Sequence, residues 1–173
     1  MPAMEFFYDF VSPYSYLAST RVEVEARRAG GEVRFRPFLL GGVFKATGNR
    51  SPLETPSKLK HMWVDLQRWA RRLSVPLALP AGFPVASILA LRAALEAERL
   101  GRLVPYTHAV FRAYWAEGKD IASAEVLAAV ASAAGMDGAP TFFVPAPDGE
   151  EMFVGNDRLD FACEALARAA HGA

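Results

Sequence analysis

A serine at the junction between a strand and a helix is the first residue of this chain that could do chemistry. The apolar segment 6–11 ends at Ser12 and Pro13, and a helical pattern begins directly afterwards. Backbone N–H groups and the positive end of a helix dipole meet at such a point. They favour a bound phosphate, carboxylate or thiolate by about 0.3–1 kcal/mol. Serine is also a common helix N-cap, so the spacing alone is compatible with a purely structural role for Ser12.

The chain offers Ser12 no recognisable base for nucleophilic catalysis. A serine nucleophile needs a base, most often histidine, and the sequence holds three: His61, His108 and His171. None lies in a hydrolase motif, and the G-x-S-x-G pattern is absent. None belongs to a recognisable metal-ligand motif either, so no metal site is predicted. A neutral hydroxyl beside a helix N-terminus is better suited to donating a hydrogen bond to a thiolate than to attacking a substrate.

The composition limits the classes of function. The chain has 173 residues, of which 52% are hydrophobic, which is enough for one domain with a substantial core. Nineteen basic residues balance nineteen acidic ones, which argues against nucleic acid or an anionic membrane as a partner. No apolar run is long enough to span a bilayer. A single cysteine, Cys163, excludes an internal disulfide and a C-x-x-C redox centre within this sequence, and favours a cytoplasmic setting.

Hydrophobic periodicity predicts the elements that must position Ser12. Segment 4–10 is expected to be a strand, 14–28 a helix and 32–37 a second strand, which together form a β-α-β unit. Segment 39–56 is rich in Gly, Asn, Ser and Pro and is predicted to be a loop. Helices are then predicted at 57–72, 85–98, 103–117 and 123–134, followed by a hairpin of strands 141–144 and 151–154 and a last helix at 158–170.

Two segments of the chain resemble a known family. Tyr8-Asp-Phe-Val-Ser-Pro-Tyr-Ser-Tyr-Leu-Ala18 resembles the opening of the 2-hydroxychromene-2-carboxylate isomerases and of the related kappa-class glutathione transferases. Gly155-Asn-Asp-Arg-Leu-Asp160 resembles the segment of these proteins that holds the γ-glutamyl end of glutathione. Between them, further matches follow in family order at 48–49, 58, 64–69, 111–115 and 138–141.

The resemblance implies an α/β protein with a thioredoxin-like fold of the DsbA and kappa-class type. Its order is β-α-β, a helical insertion, then β-β-α. A single domain would cover 1–173, with the thioredoxin core at 1–40 and 135–173 and the insertion at 57–134. One departure from the family concerns segment 136–138, where family members have a further helical segment of several turns. Either the helix at 123–134 covers the central sheet in its place, or one sheet face is left open and favours dimer formation or instability. The sequence could also be an incomplete record of a longer protein.

The resemblance also implies glutathione as the cofactor. Ser12 would be catalytic by hydrogen-bonding the glutathione sulfur, Ala139 would pair with the cysteinyl backbone beside a cis Pro140, and Asp157 would receive the γ-glutamyl ammonium. Lys58 would face a carboxylate of glutathione or of the substrate. The implied glutathione-binding set is Ser12, Pro13, Tyr14, Asn49, Lys58, Ala139, Pro140, Asn156 and Asp157.

Several of these positions have simpler interpretations from the residues alone. Asn49 follows Gly48 and is compatible with a turn residue. Lys58 is compatible with a solvated charge, although a cation near a helix start opposes the dipole and points to an anionic partner. Asp157 is compatible with a helix cap. Only about 5–6% of X-Pro bonds in folded proteins are cis, so Pro140 by itself predicts trans.

Aromatic residues at helical spacing are predicted to pack in the core, although one or two could line an aromatic pocket together with Phe38 or Phe44. They are Trp63, Trp69, Tyr114 and Trp115. Cys163 is predicted to be buried in the last helix.

The resemblance implies an isomerase that acts on a small aromatic or unsaturated acid. A serine-stabilised glutathione thiolate would add reversibly to 2-hydroxychromene-2-carboxylate, permit bond rotation and leave, giving trans-o-hydroxybenzylidenepyruvate. A kappa-like glutathione transferase is the first alternative, since the same thiolate serves both reactions. A non-catalytic thioredoxin-fold binding module is the second. The resemblance further implies a homodimer that takes part in aromatic catabolism.

Overall fold

The chain opens with a β-α-β unit in the computed structural model, which describes residues 1–49, 55–136, 141–146, 149–154 and 159–171. Strand β1 (Ala3–Tyr8) pairs in parallel with β2 (Glu32–Pro37), with Phe6 opposite Phe35. Helices α1 (Pro13–Ser19) and α2 (Val22–Arg28) connect the two strands. The predicted β-α-β order is therefore confirmed, and it places Ser12 between β1 and α1.

The predicted single helix at 14–28 is wrong in one respect, because it is divided into α1 and α2 at Thr20 and Arg21. The Thr20 hydroxyl donates to the Leu17 carbonyl at 2.8 Å, a side-chain bond that competes with the helical pattern. Arg21 then leaves helical geometry, with φ −136° and ψ −19°. Helix α1 is consequently only seven residues long.

The insertion is helical, as the sequence predicts. After α3 (Leu40–Thr47) come α4 (Pro56–Leu73), α5 (Ile88–Arg99), α6 (Leu103–Phe111) and α7 (Ala124–Ala133). A π-helical turn, Arg112–Ala116, extends α6 where an uninterrupted helix was predicted. Helix α3 itself corrects the predicted loop at 39–56. No helix in the described ranges is both long and apolar enough to cross a bilayer.

Helix α6 covers one face of the β1–β2 sheet. The Tyr8 hydroxyl lies 2.6 Å from Thr107 Oγ1, and both residues are fully buried. The Phe111 ring packs against Tyr8 and Phe10 at centroid distances of 5.6 and 5.2 Å. Burial raises the pKa of Tyr8 far above its usual value, so the phenol stays neutral in the core. This aromatic layer holds the end of β1 in place beneath Ser12.

The opposite face of the sheet is left open at Glu5, Phe7 and Arg34. Glu5 pairs with Arg34 across the strands, and the Phe7 side chain is 58% exposed. Helix α7 packs against α6 instead of against the sheet. Of the two arrangements expected for segment 136–138, the structure therefore shows the one in which a sheet face is uncovered.

Strands β3 (Thr141–Ala146) and β4 (Gly149–Val154) form the predicted antiparallel hairpin, and α8 (Leu159–His171) packs on it. Val144, Ala162 and Ala165 make a small apolar cluster separate from the main core. In the described parts of the chain, the hairpin and the β1–β2 pair are two separate two-stranded sheets. The thioredoxin elements are present in order, but no ladder among these strands joins the two halves.

Two predictions about burial are wrong. Cys163 is exposed, because the buried face of α8 is formed by Ala162 and Ala165 and Cys163 points away from it. Trp69 is 41% exposed and lies beside Arg72, whose guanidinium carbon is 5.9 Å from the ring centroid. Trp115 and Tyr114 are fully buried, as predicted.

The open sheet face has a measurable consequence for stability. We expect Phe7→Thr to change the free energy of unfolding by less than about 1 kcal/mol, since an exposed side chain loses little burial. The matched variant Phe6→Thr, one residue earlier, removes ring contacts with Tyr8 and Phe35 at 5.6 and 5.4 Å and should cost about 2 kcal/mol. Urea unfolding measures both. Equal costs would mean that the Phe7 face is covered.

Candidate functional site

Ser12 is the N-cap of α1. Its Oγ accepts a hydrogen bond from Ser15 N at 3.2 Å, and its backbone adopts the extended geometry of a cap, with φ −90° and ψ 112°. Its carbonyl accepts from Tyr16 N at 3.1 Å. Because the hydroxyl oxygen serves as an acceptor here, its hydrogen remains available to a ligand. The two interpretations of Ser12, cap and ligand donor, are therefore compatible with each other.

Pro13 and Tyr14 form the N-terminal end of α1. Pro13 is at the first helical position, where it has no N–H to leave unpaired. Tyr14 N–H is thus the first backbone donor of the helix, and no acceptor for it exists among the described residues. The Ser12 hydroxyl and Tyr14 N–H make a pair of neighbouring donors suited to an anion. Since α1 has only seven residues, these two discrete donors contribute more than its dipole.

The Tyr14 side chain is half exposed beside this pair. Partial burial raises the pKa of its phenol, and the negative charge of Asp65 on α4 raises it further. Tyr14 is therefore a neutral phenol at physiological pH and a third potential donor. Helix α1 packs against α4, which brings Tyr14 within range of Asp65.

A buried framework fixes the turn that leads to Ser12. Ser12 N donates to the Asp9 carbonyl at 3.0 Å, and Trp115 Nε1 donates to the Phe10 carbonyl at 2.8 Å. Asp9 is 1% exposed, and its carboxylate accepts from Val11 N at 3.2 Å and from Leu40 N at 2.9 Å. Sequence reasoning missed Asp9. The available signal was an aspartate directly after a strand, where its side chain bonds the backbone two residues on.

Asn49 and Lys58 lie on either side of the undescribed segment 50–54. Helix α3 ends at Gly48, which has a left-handed φ of 68°, and Asn49 follows it with its side chain exposed. Lys58 is exposed in the first turn of α4, and no described carboxylate pairs with it. A cation at the N-terminus of an 18-residue helix is unfavourable without such a partner. Within the described ranges, its ammonium is therefore available to an anionic ligand.

The structure therefore brings Ser12, Pro13 and Tyr14 together in one turn and leaves Lys58 accessible on the helix that α1 contacts. Ala139, Pro140, Asn156 and Asp157 lie outside the described residues, so their roles remain predictions. In the described ranges, no group of three His, Cys, Asp or Glu side chains could hold a metal ion.

A parallel β-α-β opening, a helical insertion and a closing β-β-α unit follow the order of a thioredoxin-fold protein of the DsbA type. The family model for the DSBA-like thioredoxin domain matches residues 3–139, and the chain belongs to this family. Within it, the chain belongs to the 2-hydroxychromene-2-carboxylate isomerase family. It is 32% identical to the 2-hydroxychromene-2-carboxylate isomerase of Sphingobium xenophagum over 190 positions, covering 91% of this chain and 94% of the relative.

A solved structure of a 2-hydroxychromene-2-carboxylate isomerase superposes with a TM-score of 0.70 at 28% identity, covering 99% of this chain and 97% of that one. Kappa-class relatives match over a shorter stretch. Glutathione S-transferase kappa 1 of Caenorhabditis elegans is 38% identical over 84 residues, which are 48% of this chain and 37% of the relative.

The alignment with the Sphingobium isomerase spans more positions than this chain has residues, 190 against 173. The relative consequently contains residues with no counterpart here.

Proposed function

We propose that this protein is a glutathione-dependent isomerase that converts 2-hydroxychromene-2-carboxylate, or a related aromatic or unsaturated acid, to trans-o-hydroxybenzylidenepyruvate or its analogue. The observation that carries this proposal is similarity to a 2-hydroxychromene-2-carboxylate isomerase over 91% of the chain. The Ser12 cap geometry supports it, because the hydroxyl hydrogen is left free to bind an anionic sulfur.

The described donors fit glutathione, which is a peptide with two carboxylates and a thiol. Ser12 and Tyr14 N–H would face the sulfur, and Lys58 and Asn49 would face the carboxylates or peptide groups. By resemblance, Ala139, Pro140, Asn156 and Asp157 would complete the site. When bound, glutathione would supply a thiolate that adds reversibly to the conjugated acid; the ring C–O bond of the hemiketal opens to a phenol and a 2-keto group, rotation about the former double bond becomes possible, and departure of the thiolate restores the double bond.

The protein contributes to this chemistry through electrostatic stabilisation of the thiolate. The Ser12 O–H donates to the sulfur and stabilises its anion, while the thiol proton is released to solvent. Lowering the pKa of a thiol by two units corresponds to about 2.7 kcal/mol of preferential stabilisation. A charge-assisted hydrogen bond contributes about 1.5–3 kcal/mol, so Ser12 and Tyr14 N–H together account for such a shift. Lys58 attracts a carboxylate and thereby orients the bound molecule.

Turnover of the chromene acid tests the proposal. The purified protein should convert it only when reduced glutathione is present, as followed by absorbance and by chromatographic identification of the product. Glutathione should not be consumed, since it is regenerated in each cycle. Absence of glutathione-dependent conversion by folded protein would reject the isomerase assignment.

A second candidate is a kappa-like glutathione transferase, which the 38% identity to the Caenorhabditis elegans protein favours. This enzyme would conjugate glutathione permanently and consume it in proportion to product. Conjugation of an aryl halide without isomerisation of the chromene acid would support it. Failure of both assays together with no binding of glutathione would leave a non-catalytic module.

The proposal includes a homodimer acting in the cytoplasm in aromatic catabolism. Reduced glutathione is abundant in the cytosol, where a single exposed thiol such as Cys163 stays reduced. Sedimentation equilibrium measures the mass, and a monomer at micromolar concentration would contradict the dimer.

A further inference from the structure

The buried carboxylate of Asp9 connects the turn that leads to Ser12 with the start of α3. Asp9 Oδ1 accepts from Val11 N at 3.2 Å, inside the turn that ends at Ser12. Asp9 Oδ2 accepts from Leu40 N at 2.9 Å, across 31 positions of sequence. With 1% of its surface exposed, Asp9 has little access to water that could replace either bond.

Leu40 is the first residue of α3, the helix that leads to Gly48 and Asn49. The local N-cap, Leu39, has no side-chain acceptor, so Asp9, the residue directly after β1, supplies the capping bond that α3 lacks. Bonds from N–H groups to a carboxylate are shorter and about twice as strong as neutral ones. Asp9 thereby ties the start of α3 to the turn before Ser12, and the backbone bond from Phe38 N to the Tyr8 carbonyl at 3.0 Å holds the segment just before α3.

The charge of Asp9 does not help the chemistry of the sulfur. A negative charge near Ser12 opposes ionisation of a bound thiol, because like charges disfavour the charged form. Any benefit of Asp9 to the site must therefore come from the two bonds that hold the backbone. Replacing Asp9 should weaken glutathione binding if the two backbone bonds matter, whereas loss of its negative charge should ease ionisation of the bound thiol. The two effects can therefore be measured separately.

We infer that Asp9 is a positioning residue of the glutathione site, acting through the Ser12 turn and through α3. The inference rests on the proposed function. Asp9 sets the affinity for glutathione by aligning Ser12 with Gly48 and Asn49 at the end of α3, and it does not set the pKa of the bound thiol.

The test compares affinity with thiol ionisation in four variants. Asp9→Asn removes the charge and replaces one acceptor oxygen by an amide that cannot accept from an N–H. Leu40→Pro leaves Asp9 intact but removes the N–H donor, and proline is tolerated at a first helical position after the extended Leu39, with ψ 102°. Leu40→Ala keeps the N–H and controls for the lost side chain. Tyr8→Phe removes the buried bond to Thr107 and controls for general loss of stability in β1.

Calorimetry should show that Asp9→Asn and Leu40→Pro weaken glutathione binding by about tenfold, the usual effect of losing one charge-assisted hydrogen bond. Leu40→Ala and Tyr8→Phe should bind within about twofold of wild type. Thiolate absorbance of bound glutathione should give an unchanged or slightly lower thiol pKa in Asp9→Asn, whereas Ser12→Ala should raise it. Backbone amide exchange in α3 should accelerate in Asp9→Asn and Leu40→Pro but not in Tyr8→Phe.

Wild-type affinity in Asp9→Asn or in Leu40→Pro would overturn the inference while leaving the proposed function intact. A raised thiol pKa in Asp9→Asn would also overturn it, because Asp9 would then act on the sulfur. Equal weakening in Tyr8→Phe would reduce the role of Asp9 to general stability. If wild-type protein binds no glutathione, the proposed function itself fails and the inference falls with it.

Discussion

Replacing Ser12 by alanine should raise the pKa of the bound glutathione thiol by about one to two units, since each unit corresponds to 1.36 kcal/mol and one charge-assisted hydrogen bond is lost. In wild-type protein the pKa of the bound thiol is expected to be lower than that of free glutathione. Thiolate therefore forms at a lower pH, and turnover should begin to rise at a lower pH. In Ser12→Ala the same rise should move to higher pH. Turnover near pH 7 should fall about 10- to 30-fold and recover in alkali. A pH–rate profile, with thiolate absorbance of the bound complex, measures both effects.

The cap function of Ser12 must be separated from this effect, because removing an N-cap alone costs about 1 kcal/mol. Ser12→Asp keeps a good cap but places a negative charge beside the sulfur. It should retain most of the stability while raising the thiol pKa at least as far as Ser12→Ala does. Ser15→Ala is a matched serine control, because Ser15 takes part in the cap through its backbone N–H. An unchanged thiol titration in Ser12→Ala and Ser12→Asp would contradict the proposed role.

The elements around Ser12 could be predicted because their signals are local. The aromatic strand, the abrupt stop at Ser12 and Pro13 and the alternation at 32–37 all lie within a few residues of the structure they specify. Strand β2 was predicted with the observed bounds, Glu32–Pro37. Ser123 likewise caps α7, with its Oγ accepting from Val126 N at 3.4 Å. Periodicity and capping are short-range effects, and a single sequence reports them directly.

Helix α3 could not be predicted in the same way. Its sequence is rich in glycine, and its N-terminal capping bond comes from Asp9, which is 31 residues away. No local pattern reports such a partner. The division between α1 and α2 was also missed, although Thr20 gave a weak local signal through its competing hydroxyl.

Some residues of the candidate site are located by the structure, and others are assigned only by resemblance to the family. The structure shows that the Ser12 hydroxyl and Tyr14 N–H lie in one turn and that Lys58 is exposed. Residue types alone suggested the roles of Ser12 and Lys58, whereas Tyr14 came from the family resemblance. Ala139, Pro140, Asn156 and Asp157 were assigned by family resemblance, and their roles stay predictions. Nothing local to 136–138 indicated which sheet face would be uncovered, because burial depends on which helix packs where.

The burial of tryptophan side chains could not be predicted from local sequence either. Trp69 and Trp115 both occur at helical spacing, but Trp69 is exposed and Trp115 is buried. Trp115→Phe should lower the free energy of unfolding by about 3 kcal/mol. Loss of the indole N–H leaves the buried Phe10 carbonyl without its 2.8 Å partner, which costs about 1–3 kcal/mol. The smaller ring adds the cost of a cavity beside Tyr16 and Phe83. Urea unfolding followed by far-UV circular dichroism avoids reliance on the altered tryptophan signal.

Trp69→Phe is the matched control, because the chemical change is identical and the side chain is 41% exposed. It should cost less than about 1 kcal/mol, the most that an exposed cation–π contact with Arg72 contributes. Since Trp115 holds the Phe10 carbonyl within the turn before Ser12, Trp115→Phe should also loosen glutathione binding, whereas Trp69→Phe should not. Equal stability losses in the two variants would mean that the Trp115 indole is not buried against β1. A large loss of stability with unchanged glutathione affinity would mean that the turn holds its geometry without this bond.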